Sequence, residues 1–421
     1  MELVGQIIIW IMMGFMVLGA GAYILRPESP LAGEFRDGIY TIGQLFIPVA
    51  GMMGIIPLLV PMIDRFVGPV YEWLHSDPAI AISTFLPSDQ GAYALSLEVA
   101  NSHSAWILAF TVSLTSGAVI AFSIPTGLAI LDKKYHKYMA LGTMCGLLAI
   151  PFTCLIMALL LMQSGVPLRE GIDTSGEGTK PFDLSFGEVV LNLVPLVIIM
   201  IVLALALKYF TDFMVKAFLV FGKAIVVVTT ISMTANVVEY FTGVFSKVFG
   251  SFPLAPFIAD AEDQFRALEV VGYIGVMLAG AFPMVYAIRT GLAGPLQAIG
   301  NRVGVSEAGI TGFLAGATNI LALYRVVPVM PPRDRVLTIA FATCAGFAIG
   351  DYLAFTANFQ PTMIVPMIIG KLVGGAIAVA IAVWLAVPYL KRFALEDTEK
   401  DGPATDGTGK DDDPVLADRT V

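Results

Sequence analysis

Charge is scarce in this chain. Only 14% of its 421 residues are Asp, Glu, Lys or Arg, where a soluble domain carries about a quarter. Cysteine is scarcer still: Cys145, Cys154 and Cys344 each sit inside an apolar run with no CxxC spacing. That pattern reads as small core residues, not as redox or metal chemistry. The three histidines are scattered, so no HExxH or zinc-ligand cluster can be assembled from sequence neighbours. The GxxxxGK[ST] phosphate loop is missing, which excludes an ATP-driven pump of that kind. The first apolar stretch has no basic n-region and runs straight into Arg26-Pro27; it is expected to remain as a span and not to be cleaved as a signal peptide. Neither a catalytic group, a cofactor, a metal site nor a nucleic-acid partner is expected.

What is present is hydrocarbon. The hydrophobic fraction is 57% and the mean hydropathy +0.82, which makes an all-α polytopic membrane protein. About 20 apolar residues cross the bilayer core, and nine segments suffice: Leu3–Leu25, Ile39–Ile63, Ala105–Leu131, Tyr138–Met162, Glu188–Leu207, Met214–Phe241, Ala267–Ile288, Val336–Ala357 and Pro361–Tyr389. Two further apolar pieces, Pro78–Val99 and Ser306–Leu323, are short or broken. If both dip in and return, the basic connections (Arg26 and Arg36; Lys133, Lys134 and Lys137; Lys208 and Lys216; Arg289 and Arg302; Arg325, Arg333 and Arg335) gather on one face with Lys391 and Arg392. The opposite face keeps only Arg65, Arg169, Lys180, Lys247 and Arg266. The positive-inside rule then gives nine spans and two re-entrant segments, with the N-terminus outside and the C-terminus in the cytoplasm. An eleven-span arrangement loses the asymmetry and is the alternative. From Glu396 to Val421 nine acids meet three bases, so much of the net charge of −9 belongs to a tail whose composition is that of a disordered cytosolic end.

The chain repeats itself weakly. Ile82-Ser-Thr-Phe-Leu86 resembles Ile310-Thr-Gly-Phe-Leu314, and Gly142-Thr-Met-Cys-Gly146 aligns with Gly370-Lys-Leu-Val-Gly374, both at an offset of 228; Gly54-Ile-Ile-Pro57 matches Gly280-Ala-Phe-Pro283 at 226. Three matches in order define two halves, 1–186 with a re-entrant segment near 78–99, and 211–395 with one near 304–325. The span within 187–210 links them and flips the second half, and 396–421 is the tail. Inverted halves with a broken segment entering from each face are the architecture of secondary transporters, whose substrates bind near the midplane.

The break in the first re-entrant piece is Pro87-Ser88-Asp89-Gln90-Gly91. Proline removes a donor, glycine loosens the chain, and Asp89 places a carboxylate at membrane depth, where an ionisable group marks a functional site. The second break, Ala315-Gly316-Ala317-Thr318-Asn319, offers a hydroxyl and an amide opposite it. Ser88, Asp89, Gln90, Tyr93, Thr318 and Asn319 are therefore candidate substrate-binding residues, a set suited to a small cation with several donors. The competing role for Asp89 is to cap the N–H groups of its own break. Asp351 in Phe347-Ala-Ile-Gly-Asp-Tyr-Leu-Ala-Phe355, with Tyr352 beside it, is a second candidate, since a ring face favours a cation; the alternative is a buried ion pair between Asp351 and Lys371. Several GxxxG faces make a homo-oligomer conceivable, although internal packing can use them.

Tyr71-Glu-Trp-Leu74, the Asp89 segment, Phe122-Ser-Ile-Pro125, Arg266-Ala-Leu-Glu-Val-Val271, Gly280-Ala-Phe-Pro-Met284, Gly350-Asp-Tyr-Leu353 and Pro366-Met-Ile-Ile-Gly-Lys-Leu-Val-Gly-Gly375 resemble, in order from Leu3 to Leu390, the EutH family of ethanolamine permeases. The resemblance implies a carrier for ethanolamine in the bacterial inner membrane, serving ethanolamine catabolism, with the lipid bilayer as its other partner. Alternating access driven by gradient and membrane potential is the expected mechanism. The alternatives are an ion-coupled carrier of another small polar solute, an intramembrane enzyme acting on a lipid head group, and a receptor without transport.

Overall fold

The computed structural model describes residues 2–390 apart from Ser175 and Glu262, and its regular elements are helices. The acidic tail, with Lys391 and Arg392, lies outside the described residues. Among the described residues, eight helices are each long and apolar enough to cross a membrane.

The chain opens with α1 (Glu2–Leu25) and α2 (Pro30–Phe66). Ser29 caps α2 by accepting the Ala32 N–H, and Pro30 takes the first turn, where its missing donor costs nothing. The short helices α3 (Ala79–Phe85) and α4 (Ala92–Val99) follow, then α5 (His103–Ile130) and α6 (Lys133–Ser164). Helix α7 (Phe186–Tyr209) starts in a capping box of Ser185 and Glu188. The chain continues through α8 (Thr211–Thr242), α9 (Ala267–Val303), α10 (Glu307–Thr318), α11 (Ile320–Val326), α12 (Pro332–Ala345), α13 (Asp351–Phe359) and α14 (Ile364–Leu385).

Helices α2 and α9 are 37 residues each, about 55 Å, so they overshoot a bilayer core of roughly 30 Å. They pack along one another, as do α6 and α14. The apolar window of α5 is 94% buried, which makes it an interior helix, whereas α1 and α8 are buried over only 11% and 17% and turn toward lipid.

Both pieces expected to be broken are hairpins. Helix α3 packs on α4, and α10 on α11. The Asp77 carboxylate accepts from Ala79 N at 2.9 Å and from Asn101 N at 2.8 Å, joining the entrance and exit of the first hairpin. At the second, Asp334 accepts from Ser306 N at 2.8 Å while Arg333 donates to the Gly304 carbonyl at 2.6 Å.

The segment Val336–Ala357, expected to be one span, is instead two helices. Gly346 and Gly350 weaken the helix, and Phe347 takes a left-handed φ of 60° between them; an apolar run of this length hides such a break from hydropathy. Helices α12 and α13 do not lie side by side as the hairpins do, so the segment is a broken rod. Helix α5 is irregular too: it is π-helical over Ser113–Ser123, a wide-turn geometry frequent at functional sites. Each hairpin tip rests on one of these irregular stretches. A Cβ on Gly117 would run into the Leu86 carbonyl, and one on Gly350 into that of Thr318. Ser116 Oγ donates to Thr84 O at 2.7 Å, and Ile349 N to Ala317 O at 3.1 Å.

Candidate functional site

Asp89 sits in a single 3-10 turn, Ser88–Gln90, between α3 and α4; Gly91 closes the turn with φ 95°. The turn is satisfied by its own carbonyls: Gln90 N and Ala92 N donate to Pro87 O, and Gly91 N to Ser88 O. The N–H groups that follow Asp89 therefore find partners without its carboxylate, which bonds only the backbone N–H of Asp89 itself within the turn. The carboxylate receives the Tyr352 hydroxyl, at 3.5 Å to Oδ1.

Asp89, Gln90, Asn319, Asp351 and Tyr352 line one cavity of about 520 Å³. Asp351 opens the first turn of α13, where the helix dipole favours an anion. Asn319 Oδ1 caps α11 by accepting from Leu321 N at 2.8 Å, and the residue still reaches the cavity wall. Three expected residues do not line this cavity, although Ser88 and Tyr93 border a narrow gap beside Asp89. Ser88 Oγ is 2.6 Å from Ser113 Oγ and ties the turn to the π-helical stretch. Tyr93 is buried among Trp106, Phe110, Phe355 and Phe359, its oxygen accepting from Gln360 Nε2 at 3.0 Å. Thr318 Oγ1 donates back to Ala315 O at 3.0 Å within its own helix. The alternative ion pair of Asp351 with Lys371 is not formed: Lys371 Nζ donates to the Leu114 carbonyl at 2.6 Å and stands 5.2 Å from the Tyr352 ring centre.

The same cavity holds residues that the sequence reading passed over: Glu34, Asp37, Tyr40, Thr41 and Gln44 on α2, and Arg325 on α11. Thr41 and Gln44 are polar positions at the start of an otherwise apolar span, which was the signal available for them. Phe122, Phe282 and Phe347 add rings to Tyr352. The wall is thus acidic and aromatic, two features that favour a small organic cation. Glu34 has Arg289 at 3.8 Å.

A second vestibule of about 630 Å³, lined by Met53, Pro57, Pro61, Glu98 and Arg266 among others, lies beyond Asp89. Between the two remains a gap of about 10 Å³ walled by Val49, Met53, Tyr93, Val270, Phe355 and Phe359. Asp89 borders both the first cavity and the gap; Met53 and Ile172 border the gap and the vestibule. Ile172 is carried on the connection between α6 and α7, which Arg169 fastens down. Its backbone exchanges hydrogen bonds with the Gln360 amide at 3.0 Å each way, and its guanidinium donates to the carbonyls of Asp173, Gly176 and Asn358. Burial lowers the Arg169 pKa from its usual value, with Asp173 acting against the shift.

The family described as "Ethanolamine utilisation protein, EutH" matches residues 4–385. The chain belongs to the EutH family. The probable ethanolamine permease EutH of Listeria monocytogenes serotype 1/2a (strain 10403S) is 33% identical over 366 residues, covering 87% of this chain and 90% of that protein. The probable ethanolamine permease EutH of Escherichia coli (strain K12) is 31% identical over 384 residues, 87% of this chain and 91% of the other. An uncharacterised relative, YxeR of Bacillus subtilis (strain 168), is 31% identical over 366 residues, with 87% and 90% covered. No solved structure matches the chain.

Proposed function

We propose that this chain is a permease that moves protonated ethanolamine across the bacterial inner membrane, with Asp89 and Asp351 holding the ammonium group. The observation that carries this reading is the Asp89–Tyr352 contact in a cavity that Asp351 also enters. Among the described residues no basic side chain forms an ion pair with either carboxylate. An ammonium offers three donors to the two carboxylates and a positive charge to the rings of Tyr352 and Phe347. The amides of Gln90 and Asn319 suit the hydroxyl end. The permease names of the relatives support transport over chemistry on a lipid head group.

The proposed topology counts the broken rod of α12 and α13 as a ninth crossing, with α7 as the linker between inverted halves. The basic connections at Arg26, Arg36, Arg325, Arg333 and Arg335 then face the cytoplasm, and the 520 Å³ cavity opens toward them. The vestibule at Glu98 and Arg266 faces outward behind the closed gap. Alternating access exchanges which side of Asp89 is open. A monovalent cation gains about 2.3 kcal/mol per 100 mV of inside-negative potential, so uniport alone concentrates it more than tenfold.

The test is uptake of labelled ethanolamine into proteoliposomes under an imposed inside-negative potential, competed with choline, propanolamine and ammonium. Uptake no faster than into protein-free liposomes overturns the reading. Uptake that requires a proton or sodium gradient at zero potential replaces uniport with coupled transport.

A further inference from the structure

We propose that Lys371 is a specificity-determining residue: a built-in cation behind the binding site that sets its charge to accept one positive charge and refuse two. The proposal rests on the reading that Asp89 and Asp351 hold the substrate's ammonium group.

Lys371 is 1% exposed, in the interior face of α14. Ionised lysine is almost never buried without a carboxylate, and among the described residues none pairs with this one. Its nitrogen donates to the Leu114 carbonyl at 2.6 Å, at the short end of charge-assisted bonds. It stands 5.2 Å from the ring centre of Tyr352, within cation–π range. Its other ionisable neighbours are the thiols of Cys154 and Cys344. Both thiols donate hydrogen bonds, Cys154 to the Thr111 carbonyl and Cys344 to that of Gly146, so neither is an anion that would cancel the lysine. The short bond to a carbonyl and the ring face both suit an ammonium group.

Tyr352 stands between this cation and the substrate position. Its ring faces Lys371 and its hydroxyl reaches Asp89. Beside Tyr352 there are therefore two carboxylates with one ammonium behind them, which a single monovalent cation balances; Arg325 shares the cavity wall but is exposed to solvent, which screens it, and among the described residues it pairs with neither carboxylate. A second positive charge on the ligand would meet the field of Lys371 with no third carboxylate at hand. Glu34 and Asp37 lie further along α2 toward the opening, where solvent screens them, and Glu34 already has Arg289.

The experiment compares two ligands of equal length that differ in charge, 3-aminopropan-1-ol and 1,3-diaminopropane, as inhibitors of labelled-ethanolamine uptake at pH 7 in proteoliposomes. The wild type is expected to be inhibited better by the amino alcohol than by the doubly charged diamine. Lys371→Met is expected to shift the ratio of the two inhibition constants toward the diamine by roughly tenfold, the scale of one unit charge acting over about 10 Å in a partly screened interior. Lys371→Arg should keep the wild-type ratio. An unchanged ratio in Lys371→Met overturns the proposal. So does a wild type that takes the diamine as well as the amino alcohol, a result that needs no variant and stands even if Lys371→Met fails to fold. Asp89→Asn separates the two claims: full uptake by that variant removes the underlying site, whereas its loss with an unmoved Lys371→Met ratio removes the lysine's role alone.

Discussion

Asp77 holds Asn101 across the entrance of the first hairpin, carboxylate to backbone N–H at 2.8 Å. With the other oxygen on Ala79 N, a single side chain fixes where the segment enters and where it leaves. Asp334 does the same for the second hairpin from its far side, through Ser306 N. Because the ends are pinned, each hairpin is a closed unit whose tip, Asp89 in one and Asn319 in the other, is delivered to the middle of the molecule. There the tips rest on the π-helical stretch of α5 and on the break between α12 and α13. The site is the meeting place of four irregular pieces of backbone, each tolerated at that depth because it is buried in protein or faces the cavity.

Asp77→Asn should therefore lower the thermal midpoint of the purified protein. Both carboxylate oxygens accept, and an amide has one acceptor, so one buried N–H loses its partner at a cost of about 1–3 kcal/mol. Asp334→Ala, which removes the acceptor for Ser306 N, should destabilise independently, and the double variant should show the sum, since the two sites share no partner. An unmoved midpoint in Asp77→Asn would mean that the hairpin is held by its packing alone.

At the site, Asp89→Asn and Tyr352→Phe should separate. The asparagine removes the charge that holds the cation, and uptake should vanish while membrane abundance stays normal. The phenylalanine keeps the ring and removes only a hydroxyl contact at the 3.5 Å limit of hydrogen bonding. Such a bond is worth about 0.5–1.5 kcal/mol, so KM should rise between two- and tenfold with little change in maximal rate. Equal losses in the two variants would contradict this division of roles.

The parts of this arrangement visible in the sequence were those with a local chemical signature. Pro87 and Gly91 around Asp89 announced a break, and the basic residues of the connections announced that the broken pieces return. Ala315-Gly316-Ala317-Thr318-Asn319 announced the second break, although only Asn319 of that group reaches the cavity. The break at Gly346–Gly350 was hidden, because an apolar run of spanning length reads the same whether or not a phenylalanine within it adopts a positive φ. Ser88, Tyr93 and Thr318 carry functional groups suited to a polar ligand, and those groups bond to Ser113, Gln360 and Ala315, with Ser88 and Tyr93 still bordering the gap beside Asp89. Which polar groups are consumed by distant partners is a matter of tertiary contacts, and no spacing along the chain encodes it. Lys371 and Asp351 illustrate the same point: their pairing was plausible from adjacent helices, yet a carbonyl on α5 took the lysine instead.

Gly350→Ala tests the contact between hairpin tip and broken rod. Its Cβ would press on the Thr318 carbonyl, and backbone cannot yield as a side chain can, so a loss of about 1–3 kcal/mol is expected. Uptake should fall with it, because Asp351 is the next residue. Gly117→Ala should behave alike through Leu86. The controls are Gly14→Ala and Gly21→Ala on α1, where a Cβ would meet nothing within 4 Å. There the helix should be unchanged or gain about 0.5–1 kcal/mol. Thermal midpoints that fail to separate the two pairs would remove the close approach from the account.

Thiol labelling can read the proposed orientation directly. Cys145, Cys154 and Cys344 are each 0% exposed, so a membrane-impermeant maleimide has little to react with in the native protein. Gln44 is exposed in the 520 Å³ cavity and Glu98 in the vestibule across the gap. With the cavity facing the cytoplasm, Glu98→Cys should label in right-side-out vesicles and Gln44→Cys only in inside-out ones. Added ethanolamine should slow labelling at Gln44→Cys, because substrate held at Asp89 and Asp351 occupies the same cavity, and should not protect Glu98→Cys in the same way. Reversal of the two sides would invert the proposed topology as a whole. Labelling of both positions from one side would mean that the gap between Val49 and Phe359 does not separate the two compartments.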